Sequence, residues 1–258
     1  MAEHSPLSWN SLQARTSARI GLARAGDTIA GAAVRQFQYA HVRARHAVST
    51  TLDVARLALP QPFIEVESQA RDRAEFVRRP DLGRQLCETG RARLPHGDYD
   101  IVFVMADGLS ALAVEQQAVP VFSAIQPLLA GWRIAPLVIA HRARVALGDE
   151  IALCLGARCV VMMIGERPGL RCAESMSLYM TWNPHAGMRD SARNCISNIH
   201  GYGGQSAVTA ANRLAWLLRT ARQRGYSGVD LKDETCIIDT PPAPAALHGA
   251  SDTNAGPA

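Results

Sequence analysis

The sequence predicts an α/β protein, an open and largely parallel sheet preceded by an N-terminal helical region. Three observations carry this. Short apolar runs at 101–106 (IVFVMA), 136–140 (PLVIA) and 159–165 (CVVMMIG) are bounded by turn residues, as strands buried on both faces of a parallel sheet are. Helical sequence of ten or more residues separates them, the alternation of βαβ units. The first 95 residues lack such runs and show helical periodicity instead.

In chain order, residues 1–15 are polar and irregular. Over 30–48, Ala30, Val34, Phe37, Ala40, Ala44 and Ala47 recur every three or four residues and predict one amphipathic helix, with Arg35, Arg43 and Arg45 off the stripe. Pro60 and Pro62 exclude helix at 60–66, which reads as extended. Residues 69–78 read as helix stopped by Pro80, and Asp81 as the cap of another helix ending near Gly90. After the strand at 101–106, helical sequence runs from 109 to about 130, with Pro120 and Pro127 expected to break or kink it. Residues 145–155 predict the next helix. The segment 177–182 (SLYMTW) is a candidate strand, and 193–199 (RNCISNI) is ambiguous between strand and turn. Residues 206–224 form the clearest helical stripe, and Gly225 suits its C-terminal cap. The resulting division is a helical region at 1–95, an α/β domain at 96–238 and a disordered Pro/Ala/Gly-rich tail at 239–258.

Composition narrows the function. Of 258 residues 48% are hydrophobic, enough for a sizeable core, and 27 basic against 23 acidic residues leave a net charge of +4. With dispersed basic residues and 5% aromatics, nothing indicates a nucleic-acid partner. Six scattered cysteines without CxxC spacing, and no signal-like apolar start, predict reduced thiols in a cytoplasmic protein. No apolar run reaches the roughly 18 residues of a membrane span.

Catalytic signatures are missing: no GxGxxG after the first strand, no phosphate loop, no GxSxG, no HExxH and no metal-ligand spacing among the histidines. A D-x-H-x-x-G run, with which many corrinoid-binding domains present a histidine to cobalt, is also missing. Three loops should lie at the carboxyl end of the sheet, where open α/β folds bind ligands: 141–151 (HRARVALGDEI), 165–170 (GERPGL) and 193–204 (RNCISNIHGYGG). Each has a structural alternative. Glu166 could cap a helix or pair with Arg167 or Arg144, Val145 could be a first-turn core residue, and Cys195 a small buried hydrophobe. Asp107-Gly108 could equally be a helix cap with a tight turn.

The runs DRAEFVRRPDLGRQL (72–86), DIVFVMADGLSALAVEQQAVPV (100–121), RVALGDEI (144–151), IGERPGL (164–170), RNCISNI (193–199) and SGVDLKD (227–233) resemble, in order and spacing, the small subunit of ethanolamine ammonia-lyase. SARIGLARAG (17–26) and FQYAHVRARHAV (37–48) extend the likeness to about residues 11–236. The sequence departs from the family's usual pattern at RCAESMSLYM, at HGYGGQSAVTAANRL and at His46, where an Asp is usual.

The resemblance implies a Rossmann-like domain with an N-terminal helical part. It implies a subunit of a hetero-oligomeric carbon–nitrogen lyase that uses adenosylcobalamin, a cobalt corrinoid, to convert ethanolamine to acetaldehyde and ammonia in ethanolamine catabolism. In that family the large subunit carries the catalytic side chains, so none are expected here, and the small subunit clamps the cobalamin. The family's corrinoid contacts fall on Val145, Glu166 and Cys195, and the missing D-x-H-x-x-G agrees with base-on binding, where no protein residue ligates the metal. The N-terminus gives no support for a microcompartment address. Two alternatives remain at this stage: a stand-alone nucleotide-binding enzyme and a structural adaptor.

Overall fold

The computed structural model describes residues 8–13, 15–16, 18–59 and 61–235. Pro60, Cys236 and the expected tail lie outside them. Short elements come first: helix α1 (Trp9–Gln13) and a two-stranded ribbon of β1 (Arg24–Ala25) and β2 (Thr28–Ile29). Helix α2 (Gly31–Ser49) follows the predicted stripe, but only its C-terminal half is buried, through Ala40, Ala44 and Ala47. Val34 and Phe37 on the same stripe stay exposed.

The chain then forms β3 (Phe63–Glu67), α3 (Arg73–Arg78), α4 (Glu88–Ala92), β4 (Val102–Ala106), α5 (Ala111–Ile125), β5 (Leu137–His141), α6 (Leu147–Leu155), β6 (Cys159–Gly165), β7 (Met176–Trp182), β8 (Arg193–Ile199) and α7 (Ala207–Arg224). One six-stranded sheet has the order β3-β5-β4-β6-β7-β8. The first four strands are parallel, β7 runs antiparallel to β6, and β8 runs antiparallel to β7. The extended piece after Pro62 is thus an edge strand of the main sheet.

Two differences from the sequence reading have local causes. The helix expected from Asp81 to Gly90 is a 3-10 turn at Leu82–Arg84 followed by α4, which Cys87 caps. Between them the chain pairs with the β3 segment, Gln69 N donating to Gln85 O and Cys87 N to Glu67 O, and Glu150 accepts from Leu86 N at 3.0 Å. Pro120 does not break α5. It is exposed, as is Gln116 one turn earlier, so the carbonyl that loses its helical partner faces water. Pro127 falls in the first turn of a 3-10 segment, where a missing N–H costs nothing.

Helices cover the sheet unequally. On one face Phe103, Met105, Val161, Leu178 and Ile196 pack under α5 and α7, and Phe122 meets Phe103 edge-on at 5.3 Å. On the other, Val104, Val138, Val160 and Met162 pack under Leu147, Ile151 and Leu155 of α6. Each such side chain, fully buried, contributes roughly 1.5–3 kcal/mol. A β-carbon on Gly148 would lie 2.6 Å from the Met162 sulfur, so this glycine lets α6 sit close on β6. Beyond β6 the α6 face opens: Tyr179 is half-buried and Cys195 exposed.

Candidate functional site

Loops following β4, β5 and β6 meet at the carboxyl end of the parallel strands. Adjacent β4 and β5 send their helices, α5 and α6, to opposite faces, which is the switch point where open α/β sheets form ligand crevices.

Asp107, at the end of β4, fixes this junction. Its buried carboxylate accepts from Arg142 N at 2.9 Å, Ala143 N at 3.1 Å and Arg73 Nη1 at 3.2 Å. Arg142 takes a left-handed conformation (φ 54°) to present its amide. Burial pushes the Asp107 carboxyl above its ordinary pKa, and the Arg73 guanidinium and the two amides oppose that. Asp107 is therefore no helix cap; Ser110 caps α5, accepting from Ala113 N at 3.3 Å.

Gly108 and Gly165 permit close approach of two loops. Gly108 has φ +52°, and Leu109 N donates to Gly165 O at 3.0 Å. A β-carbon on Gly165 would collide with the Ser110 carbonyl oxygen and stand 2.8 Å from that of Asp107.

Glu166 follows at once. Its backbone N–H donates to Ser175 O at 2.9 Å. Its carboxylate accepts from Ser175 Oγ at 2.9 Å, from the Ser177 hydroxyl and from Asn198 N at 3.3 Å. It pairs with neither Arg144 nor Arg167. Three of about four carboxylate lone-pair sites are occupied, which fixes the group and leaves acceptor capacity.

Val145 lies two residues before α6, packs against the α6-side core and also lines a cavity of about 360 Å³ with Gly108, Leu109, Arg144, Glu166 and Tyr179. Glu166 and Arg167 also line a larger cavity of about 670 Å³, whose far wall includes Arg19, Cys172, Asn198 and His200. The two cavities are lobes of one cleft sharing the Glu166 wall.

Cys195 lines neither lobe. It sits opposite Tyr179 across the β7–β8 pairing and is exposed. Desolvation by its neighbours and the Glu166 charge hold its thiol above the ordinary pKa, against the Tyr179 and Ser177 hydroxyls. The structure thus brings Val145 and Glu166 to one cavity and reaches Cys195 through the polar column Ser177–Tyr179. Those two residues and Ser175 were not singled out from sequence, although SLYMTW alternates polar and apolar residues, the signature of a strand with one open face. Among the described residues no group of three or more His, Cys, Asp or Glu is gathered to hold a metal, and no helix is long and apolar enough to cross a membrane.

The family profile described as ethanolamine ammonia-lyase light chain (EutC) matches residues 6–232. The chain belongs to that family. Its relatives include the ethanolamine ammonia-lyase small subunit of Pseudomonas fluorescens (strain Pf0-1), 43% identical over 242 residues, which are 89% of this chain and 88% of the relative. Small subunits so named from Azotobacter vinelandii (43%; 91% and 92% covered) and Xanthomonas campestris pv. campestris (44%; 88% of each covered) are similar.

Proposed function

We propose that this chain is the small subunit of an adenosylcobalamin-dependent ethanolamine ammonia-lyase and closes one side of the corrinoid site against a large subunit. The observation that carries the reading is the two-lobed cleft at the switch point, walled by Val145 and by a Glu166 carboxylate that two serine hydroxyls and a backbone amide hold in place. Family membership supplies the chemistry: the cofactor, when bound, provides the carbon radical that abstracts hydrogen from ethanolamine.

The residues present fit such a group. A corrin rim carries primary amides, and the remaining acceptor capacity of Glu166 suits an amide N–H. Val145 and the aromatic face of Tyr179 offer apolar surface for the macrocycle, and the open side of β7 and β8 continues it toward Cys195. Both lobes are open to solvent, as a clamp completed by a second chain would be. Base-on binding is part of the proposal, in keeping with the missing D-x-H-x-x-G run. Within this chain the work is to position the cofactor and shield it from water; no side chain here is assigned a proton or hydrogen transfer.

Reconstitution tests the reading. The chain mixed with an ethanolamine ammonia-lyase large subunit, adenosylcobalamin and ethanolamine should release acetaldehyde, and neither chain alone should do so. Equal turnover by the large subunit without this chain would overturn it.

A further inference from the structure

Positive charge exceeds negative charge at the cleft, where Arg73, Arg142, Arg144 and Arg167 stand with Asp107, Glu67 and Glu166. Arg73, Arg142 and Arg144 converge on the end of β4 and β5. Asp107 faces Arg73 at 3.2 Å, and Glu67 takes Arg142 at 2.7 Å. Arg144 has no carboxylate partner among the described residues. It stacks on the Phe76 ring at 4.4 Å, with Arg73 4.9 Å from the same ring, and its Nη2 donates to Phe76 O at 3.3 Å. Its Nε is buried and bonded to nothing, as is Nη2 of Arg73, whose side chain is 10% exposed. Burial, then the charges of Arg73, Arg84 and Arg167, disfavour the Arg144 cation, and the Asp107 charge opposes them. Arg167, exposed at the other rim of the same cavity, also lacks a carboxylate partner among the described residues. The cavity's own carboxylate, Glu166, keeps its charge but is held by Ser175, Ser177 and Asn198 N and pairs with neither arginine.

A half-buried guanidinium with no carboxylate at ion-pair distance is costly unless an anion completes it. Guanidinium groups match phosphate geometry, and neighbouring cations on two rims of a cavity focus on an anionic ligand group. We propose that Arg144 and Arg167 form an anion subsite in the Val145–Glu166 lobe and take the phosphate ester of the bound ligand. Resting on the proposed function, that ester is the phosphodiester joining the corrin side arm to its nucleotide. The polar wall at Glu166 would then hold the rim amides and the basic wall the ligand's single anion.

Two corrinoids that differ only in this group separate the subsite from the rest of the cleft: cobinamide and cobinamide phosphate, neither of which carries the nucleotide base. Binding is read by corrinoid absorbance in equilibrium dialysis against the complex with the large subunit. The wild-type complex should hold cobinamide phosphate roughly 10–100-fold tighter, the range of a hydrogen bond to a charged group. Arg167→Gln and Arg144→Gln should each weaken cobinamide phosphate more than cobinamide and so reduce that preference, and Arg144→Lys should restore part of it. Because Arg167 is exposed, its variant bears on the subsite even if Arg144→Gln fails to fold. Equal affinity of the wild type for the two corrinoids, or a preference that survives both substitutions, would overturn the subsite and leave the corrinoid reading standing. Failure of the wild-type complex to retain either would overturn both. If inorganic phosphate tightened cobinamide to the level of its phosphate ester, the occupant would be free phosphate, and the assignment to the ligand's own ester would be wrong.

Discussion

Arg193 and Asp149 form a bidentate ion pair, each N···O distance 2.6 Å, with side chains only 1% and 5% exposed. The pair joins the first residue of β8 to the first turn of α6, and Arg193 Nη1 also donates to Thr181 Oγ1 at 2.8 Å. It therefore pins the RNCISNI strand to the RVALGDEI helix and sets the distance between Cys195 and Val145.

Removing one partner strands the other charge. Arg193→Met or Asp149→Leu should each cost about 3–5 kcal/mol of unfolding free energy, and the double replacement should recover much of the loss. Urea denaturation of the three variants checks this. Additive losses in the double variant would show that the pair does not act as a unit.

Gly165 should tolerate no side chain. Gly165→Ala forces the Glu166 loop away from Ser110 and Asp107 and is expected to cost at least about 2 kcal/mol. Gly201, which has nothing within 4 Å of a would-be β-carbon, gives the matched control, with Gly201→Ala within about 0.5 kcal/mol of wild type. Thermal melts of both variants make the comparison.

Acid should uncover the Arg71–Glu75 pair at the start of α3. Hydrogen bonds from the Arg71 side chain and then its backbone N–H lower the Glu75 carboxyl from 4.5 to about 2. The folded state thus binds its proton more weakly than the unfolded one, and this stabilisation is complete above pH 4.5 and lost as pH falls to about 2. The stability difference between wild type and Glu75→Gln should shrink across that window and, Arg71 being exposed, also with added salt. A difference constant over the window would contradict the assignment.

Cys195 offers a chemical reading of the open β7–β8 face. Its raised thiol pKa should make alkylation slow at neutral pH and faster as pH rises. In the complex with the large subunit, bound adenosylcobalamin should protect Cys195 while half-buried Cys87 and Cys154 label as before, measured by mass spectrometry. Unchanged Cys195 labelling would remove it from the cofactor's surroundings.

The parallel strands were legible because burial on both faces leaves continuous apolar runs, and the Gly165–Glu166 loop because turn residues end one of them. Strand β8 was not. Asn198 adopts φ 59° near its end and the β7 pairing shifts register between Met176 and Leu178, so RNCISNI shows no clean alternation. Glu166 was ambiguous because its partners, Ser175 and Ser177, lie just before and within the next strand, and serines at that spacing announce nothing by themselves. Asp107 could have been a cap on sequence alone; only the fold brings Arg142 and Ala143 amides to it. The charge excess around Arg144 was equally hidden, because Arg73 begins α3 while Arg142 and Arg144 lie in the β5–α6 loop, and only tertiary contact decides which of them meets a carboxylate.

The most direct test of the cleft as a corrinoid clamp is cofactor retention by the complex of this chain with the large subunit. Wild type and Glu166→Arg would each be loaded with adenosylcobalamin and passed through gel filtration, with corrinoid absorbance read against protein. The wild-type complex should retain the corrinoid, and the variant should assemble yet lose most of it, a fall of roughly 10–100-fold in affinity from replacing a hydrogen-bonding carboxylate with a cation. Full retention by Glu166→Arg would contradict the account.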